Sequence, residues 1–266
     1  MIALLALGAT SGAARLAAQQ GGEPHLYLSI FGGGHTGQEL WLLEKQPIIV
    51  LPSQYDTLDL GRTMASGFIV GASGAYFPGP HIGFEAEIAL MSMTLESSCS
   101  IRQSQPPVVN DIGPALCASV QGQGVSNNAV SFSVGVIARA LADRSLHPYV
   151  RLDAGIVSRT HSTIEMIGSY VDPDGNVVSQ TLVSDENPDN TGPHVTAAFG
   201  LALSLGPGYQ LRLEGRDLMM QLDRVTGQGN ANSVPLVLPH SEHIYHIFAL
   251  TVALDVILEK QHHRRY

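Results

Sequence analysis

Acidic and basic side chains recur at every second position in several segments of this 266-residue chain. Glu85 and Glu87 show the spacing that places two carboxylates on one face of a β-strand. Such a pair performs general acid–base catalysis when it remains ionisable. Arginines occupy similar alternate positions in other segments, which favours structural charge pairing over catalysis. The full alternating set is Glu85, Glu87, Arg139, Arg151, Asp153, Arg159, Arg212, Glu214 and Arg216.

A second group holds nucleophile and base types. His161, Ser162 and Glu165 are the residue types that a lipid-deacylating enzyme uses. Adjacent residues of a strand point to opposite faces, and no third group can be assigned to orient the base. The sequence therefore assigns no catalytic residue here.

Two segments contain metal-ligand types. The histidines of residues 240–246 are spaced by three, which places neighbours on opposite faces of a strand. Residues 172–177 resemble the start of a calcium loop, but Val177 stands where glycine is required and no glutamate occupies the twelfth position. We instead interpret Ile167–Leu182 as extensions of the neighbouring strands with a turn at their tip. We therefore predict no metal site and no cofactor.

The segment that positions many of these charges is Asn128–His161. It contains two runs of strict apolar–polar alternation around a polar turn, which predicts a β-hairpin. Val134 and Leu152 belong to its apolar face, while Arg139, Arg151 and Asp153 lie on the other face. In a soluble protein the apolar face would look inward, whereas in a membrane barrel it would contact lipid.

Eight such alternating segments are present in the whole chain. Their connections alternate between long and short. The short turns include 78–80 and 206–208, and the long stretches include 35–63, which is predicted to be irregular, and 96–127. Bacterial outer-membrane barrels have an even strand number, short periplasmic turns and long extracellular loops. A soluble barrel has no reason to sort its loop lengths in this way. The eight segments cover about 25–34, 65–77, 81–95, 128–140, 149–159, 194–205, 209–222 and 243–258.

Composition agrees with a membrane β-protein. Charged residues make up 14% of the chain, against about 25% in average soluble domains. The formal net charge of −9 argues against nucleic-acid binding, which needs a basic face. Aromatic residues beside the short turns predict a girdle at the membrane–water interface. These residues are Tyr76, Phe77, Tyr149 and Tyr209.

The N-terminal segment has the features of an export signal. An apolar run from Ile2 to Ala9 precedes small residues, and Leu16–Ala18 resembles a cleavage site, although no basic residue precedes Arg15. An exported chain meets an oxidising compartment, where Cys99 and Cys117 are expected to form a disulfide; two free thiols are the alternative. We therefore divide the chain into a signal peptide (1–18), a barrel (19–258) and a polar tail (259–266).

The chain resembles the small eight-stranded outer-membrane β-barrel proteins of the OmpA/OmpX type between Leu26 and Leu258. The segments that carry the resemblance are FEAEIALMSM (Phe84–Met93), YVRLDAGIVSR (Tyr149–Arg159) and LRLEGRDL (Leu211–Leu218). The resemblance implies an interior of paired glutamates and arginines and a location in the bacterial outer membrane. Barrels of this family usually end on an aromatic residue, whereas here the alternation stops near Leu258 and a polar tail follows.

From these observations we predict an all-β fold, an eight-stranded antiparallel up-and-down transmembrane β-barrel. Eight strands leave an interior just wide enough for side chains, so the paired charges are expected to plug the lumen. The expected role is non-enzymatic, either structural or surface interaction through the extracellular loops. The expected partners are outer-membrane lipid and an unidentified loop partner. The alternatives are a lipid-modifying barrel enzyme and a conduit for small solutes.

Overall fold

The structure is a computed structural model that describes residues 25–51, 54–103, 113–142, 144–172, 174–186, 188, 190–206, 208–231 and 235–258. The predicted signal peptide and polar tail lie outside these residues. No helix in the described ranges is long and apolar enough to cross a membrane. The described residues form one short helix, α1 (Gly113–Val120), and thirteen strands. These are β1 (His25–His35), β2 (Gln38–Leu51), β3 (Gln54–Met64), β4 (Gly67–Phe77), β5 (Ile82–Arg102), β6 (Gly124–Arg139), β7 (Leu146–Arg159), β8 (Met166–Val171), β9 (Val177–Ser184), β10 (Thr191–Gly206), β11 (Tyr209–Val225), β12 (Leu236–Val237) and β13 (His240–Leu258).

Eight of these strands close into a ring. The ring order is β1, β4, β5, β6, β7, β10, β11 and β13, and each strand is antiparallel to both neighbours. The ring closes where β13 pairs with β1, from Leu26 opposite Leu258 to His35 opposite Ala249. Short turns join the strands at one end, and long connections join them at the other. The predicted eight-stranded up-and-down barrel is confirmed.

The first long connection is a β-hairpin, whereas the sequence predicted an irregular loop over 35–63. β2 pairs with β3, and β3 then pairs with the far end of β5, from Met64 opposite Leu95 to Thr57 opposite Arg102. Three register shifts interrupt the β2–β3 ladder, and Lys45 has a positive φ of 59°. These irregularities break the two-residue period, which explains why alternation did not reveal the hairpin.

β8 and β9 form a hairpin in a separate three-stranded sheet with β12. Extensions of barrel strands were predicted here, and that detail is wrong. The backbone N–H groups of Thr160 and His161 both donate to the side-chain oxygen of Asn127, at 3.1 and 2.9 Å, beside the point where β7 ends. The predicted turn lies at the hairpin tip, where Asp172 accepts hydrogen bonds from the backbone N–H groups of Asp174 and Asn176.

Helix α1 joins this sheet to the barrel. Leu116 and Val120 are buried, and the helix packs against β8 and β5. Cys117 of α1 is bonded to Cys99 of β5, with the two Cα atoms 5.3 Å apart. We call β2, β3, α1, β8, β9 and β12, together with the barrel-strand ends that they contact, the cap.

The polarity of the two strand faces inverts between the barrel and the cap. At the short-turn end of β5, the outward face carries Ile82, Phe84, Ile88 and Leu90, and the inward face carries Glu85 and Glu87. At the capped end, the outward residues are Glu96, Ser98 and Ser100, and the inward residues are Met91, Met93 and Leu95. A face that contacts water is polar and a face that is buried in protein is apolar. The outward apolar band is therefore confined to the short-turn part of the barrel.

The capped end encloses a hydrophobic core. Trp41 and Leu60 of the β2–β3 hairpin are buried and belong to the same hydrophobic cluster as Met93 of β5 and Met166 of β8. The indole N–H of Trp41 donates to the backbone oxygen of Thr163 at 3.1 Å, which satisfies its polar atom. The cap is thus folded around a core of its own that continues into the barrel interior.

Candidate functional site

The interior of the barrel is organised around the guanidinium group of Arg151 on β7. Its nitrogens lie 3.2 Å from Glu85, 2.5 Å from Glu87, 3.1 Å from Asp153 and 3.2 Å from Glu214. All five side chains are almost completely shielded from solvent. Four carboxylates around one cation repel one another, so the site depends on further arginines.

Two arginines of β11 supply this additional charge. Arg216 contacts Glu87 at 3.0 Å and Glu214 at 2.6 Å. Arg212 contacts Asp255 at 2.9 Å and donates to the hydroxyl of Ser29 at 3.0 Å. The three arginines therefore link strands on opposite sides of the ring through charge-assisted hydrogen bonds.

Asp255 is a member of this network that the sequence analysis omitted. Its carboxylate accepts hydrogen bonds from Arg212 and from the side-chain amide of Gln210, at 2.9 Å each. Leu254 and Val256 flank it on the outward face of β13. The same alternation that identified the other inward charges could have identified Asp255.

The remaining two predicted arginines lie at opposite ends of the interior. Arg139 is at the short-turn end, where it donates to the backbone oxygen of Pro80 and to the hydroxyl of Tyr27, at 2.6 Å each. Arg159 is buried towards the capped end and donates to the backbone oxygen of Gln221 at 3.3 Å. The structure thus places both on the inward face and separate from the Arg151 cluster.

Two of the four predicted girdle residues point into the barrel. Tyr76 and Tyr209 are exposed on the outward face, but Phe77 and Tyr149 are only 3% exposed. The girdle prediction is therefore wrong for Phe77 and Tyr149. Proximity to a turn does not determine which face of a strand a side chain lies on, because successive side chains point to opposite faces. Phe77 follows the outward Tyr76, and Tyr149 precedes the outward Val150, so both point inward.

Inward glycines accommodate the inward aromatic rings. Tyr149 is directly opposite Gly200 on β10, and Phe31 is directly opposite Gly71 on β4. A Cβ atom at Gly200 would overlap the Tyr149 ring, and one at Gly71 would overlap the Phe31 ring. The absence of a side chain at these positions lets each ring lie flat across the neighbouring strand.

Little space is left inside the barrel. The cavity near the short-turn end is lined by Tyr27, Phe77, Tyr149, Arg212 and Asp255 among others, and it measures about 20 Å³. That volume holds about one water molecule. Beyond the charged cluster, the interior continues into the apolar core of the cap.

The catalytic types of residues 161–165 do not converge. Ser162 donates to the carboxylate of Asp185 at 2.5 Å and accepts the backbone N–H of Ile164 at 3.1 Å. His161 is exposed, while Ser162 is buried. Among the residues that the structure describes, Ser162 makes no hydroxyl–imidazole contact of the kind that activates a serine.

The residues that could bind a metal ion also lie apart from one another. His246 pairs with Asp217 at 2.8 Å on the outward face, while His243 packs edge-on against Tyr245. The carboxylate of Asp172 is occupied by donors of its own turn, chiefly Asn176, and these hydrogen bonds lower its pKa. Within the described residues, no group of three or more His, Cys, Asp or Glu side chains is arranged to hold a metal ion.

Comparisons with known proteins find similarity at the level of structure. No protein-family model matches the sequence, and no curated protein matches it. Among solved structures, the outer membrane protein OprG from Pseudomonas aeruginosa is 5% identical; the match covers 90% of this chain and 97% of OprG, with a TM-score of 0.50.

Two further matches are weaker in geometry. Neisserial surface protein A is 10% identical over 87% of this chain and 96% of that protein, with a TM-score of 0.43. The outer membrane protease OmpT from Escherichia coli is 9% identical over 88% and 96%, with a TM-score of 0.36. At 5% identity, the match to OprG bears on the fold alone. The closed ring of eight antiparallel strands and the match to OprG together show that this chain has the fold of the small outer-membrane β-barrel proteins.

Proposed function

We propose that this chain is a non-enzymatic protein of the bacterial outer membrane whose barrel crosses the bilayer and whose cap contacts a partner outside the cell. The observation that carries the proposal is the inversion of strand polarity. The outward face is apolar over the part of each barrel strand that a bilayer would surround, and it becomes polar where the cap begins. The short turns would then lie in the periplasm.

The filled interior supports a binding role over a conduit. The Arg151 cluster and the core of the cap occupy the lumen in series, and the cavity of about 20 Å³ beside Tyr149 and Arg212 is too small for a solute larger than water. A passage through the barrel would require both layers to separate. In contrast, the cap has its own core, a disulfide and two hairpins, which are features of a stable binding platform.

The β8–β9 hairpin offers the contact surface. Val177 is 72% exposed and Val171 is 65% exposed, more than nearly all of the outward aliphatic residues of the barrel. They are opposite each other in the ladder and therefore share a face, as do Ser169 and Ser179. This uncharged face lies on a cap rich in carboxylates, and exposed apolar surface of this kind marks interaction sites.

Photo-crosslinking in intact cells tests the proposed role. A benzophenone amino acid replacing Val177 should yield a discrete protein adduct, because the side chain would lie in the partner contact. The same amino acid replacing Ser100, an exposed residue on β5, is the matched control and should give none. Equal labelling from both positions, or no adduct from Val177, would contradict a surface-interaction role for the hairpin.

Planar-bilayer recording separates this role from a conduit. The reconstituted protein should show no stable ion conductance, because the Arg151 cluster and the cap core obstruct the lumen in series. Long-lived channels of uniform conductance would favour the conduit instead. Denatured protein added to the same bilayer controls for leakage that is caused by detergent.

A further inference from the structure

An open groove of about 370 Å³ lies on the outward face of the barrel at the short-turn end. It spans β6, β7 and β10. Its lining consists of Ala138, Arg139, Ala140, Pro148, Tyr149, Val150 and Phe199. The groove is much larger than the interior cavity, and it faces the region that the bilayer would occupy.

Small side chains create the groove. Ala138 and Ala140 face outward at the end of β6, where most other outward positions of the barrel carry Leu, Ile, Val or Phe. Larger residues border this floor: Ile82 is directly opposite Ala138 on β5, and Phe199 of β10 is directly opposite Val150 of β7. The result is an open apolar depression between bulky neighbours, and its apolar floor suits a hydrocarbon chain.

The turn below the groove carries an exposed cation between exposed leucines. Leu141 and Leu146 are exposed, and Leu141 has a positive φ of 55°, an uncommon conformation for this residue type. Arg144 is also exposed, and its backbone N–H donates to the oxygen of Leu141 at 2.9 Å. Leucines that enter the apolar layer and an arginine at its edge are the arrangement expected at a membrane interface.

Arg144 is available to an external anion, whereas Arg139 is not. Arg139 is held by Pro80 and Tyr27, and its guanidinium lies 4.1 Å from the centre of the Phe77 ring. Asp143 precedes Arg144 in the sequence and lies outside the described residues. An arginine guanidinium is well suited to bind a phosphate group.

We propose that this groove binds one phospholipid of the periplasmic leaflet, with an acyl chain between Ile82 and Phe199 and its phosphate on Arg144. The inference rests on the proposed function, because it requires the barrel to cross the outer membrane. The proposed groove would be a site for one lipid molecule on a surface that otherwise contacts the bilayer without selecting any lipid.

Native mass spectrometry tests the site. The protein is purified in detergent, supplied with phosphatidylethanolamine and transferred to the gas phase, where the fraction that retains one lipid is measured. Ala138→Trp fills the floor and should lower that fraction at least tenfold. Ala72→Trp is the matched control, since Ala72 is also an outward alanine but lies on β4, away from the groove.

Arg144→Gln tests the headgroup contact. It should lower the retention of phosphatidylethanolamine several-fold while leaving the retention of diacylglycerol, which lacks phosphate, unchanged. Equal retention by Ala138→Trp and Ala72→Trp would overturn the acyl-chain site, and so would absence of retained lipid from the unaltered protein. Equal loss of both lipids in Arg144→Gln would overturn the phosphate contact.

Co-flotation with liposomes distinguishes this inference from the proposed function. If all variants float with the vesicles but none retains a lipid in a groove-dependent way, only the phospholipid site is wrong. If the unaltered protein fails to float, the membrane location itself is wrong, and the phospholipid site falls with it.

Discussion

At the scale of single residues, buried charge is the feature with the largest energetic consequence. Arg151 is shared by four carboxylates in an environment that excludes water. A buried ion pair contributes little net stability by itself, because desolvation offsets the attraction, but removal of one partner leaves an uncompensated charge. Loss of one member of the network should therefore cost more free energy of unfolding than the intact network contributes.

Arg151→Gln should lower the free energy of unfolding by about 3–5 kcal/mol. The reason is that Glu85, Glu87, Asp153 and Glu214 lose their common cation. Urea titration of the folded protein in detergent, followed by circular dichroism, measures the change. Arg102→Gln, at an exposed position, is the control and should stay within about 0.5 kcal/mol. Equal stability of the two variants would contradict the central place of Arg151.

Gly200→Ala should destabilise the barrel by about 1–3 kcal/mol, the usual cost of overpacking. Its Cβ atom would meet the Tyr149 ring, whereas Gly74→Ala has room, with the nearest atom, on Leu28, at 3.7 Å. The same urea titration compares the two variants. If Gly200→Ala were neutral, the inward placement of Tyr149 would be wrong.

Residue types alone predicted much of the site, within limits. Alternation placed Glu85, Arg151 and Arg212 on the face opposite to the apolar residues, and the structure has them inside. Alternation could not show which charges meet, because pairing depends on the stagger of strands around the ring. Arg139 illustrates this, since it has the correct parity but binds Tyr27 and Pro80 at the short-turn end.

At the scale of elements, a single strand serves two environments. The inward face of β5 changes from carboxylates to Met91 and Met93, and its outward face changes from isoleucine and phenylalanine to serine. The two-residue alternation continues along the whole strand, but the apolar residues change from the outward face to the inward face. The apolar face that the sequence predicts for this strand ends at Leu90, because the next outward residues, Ser92 and Thr94, are polar.

Val134→Arg should cost about 2–4 kcal/mol, the penalty for arginine at the bilayer midplane. Val134 is exposed in the middle of the outward apolar band of β6. Asn128→Arg is the matched control, because Asn128 is an outward residue of the same strand near the cap. Folding in liposomes at a series of urea concentrations gives both values. A neutral result for Val134→Arg would mean that this face does not contact lipid.

The elements that sequence analysis missed are those without a regular period. The β2–β3 hairpin contains Lys45 with a positive φ and three register shifts, and α1 has only eight residues. Their stability comes from the tertiary contacts of Trp41 and Leu60 and from the disulfide of Cys117. Such contacts join residues that are distant in sequence, so no local pattern reveals them.

At the scale of the whole molecule, the barrel and the cap of one chain bury different kinds of side chain. The barrel buries charge inside and exposes apolar surface, whereas the cap does the reverse. In the described part of the chain, the two meet in a continuous interior that barrel and cap side chains fill together. An external partner would then bind to the cap, and lipid would bind to the outward apolar band of the barrel and to the groove beside β6.

Site-directed spin labelling along β13 tests this arrangement most directly. In liposomes, labels at Leu250 and Val252 should collide with oxygen, which concentrates in lipid, and a label at Glu242 should collide with a water-soluble nickel reagent. All three residues are exposed on the outward side of one strand, so only their position along β13 differs. The accessibility should therefore reverse from lipid at Leu250 to water at Glu242. Water accessibility at all three positions would contradict it.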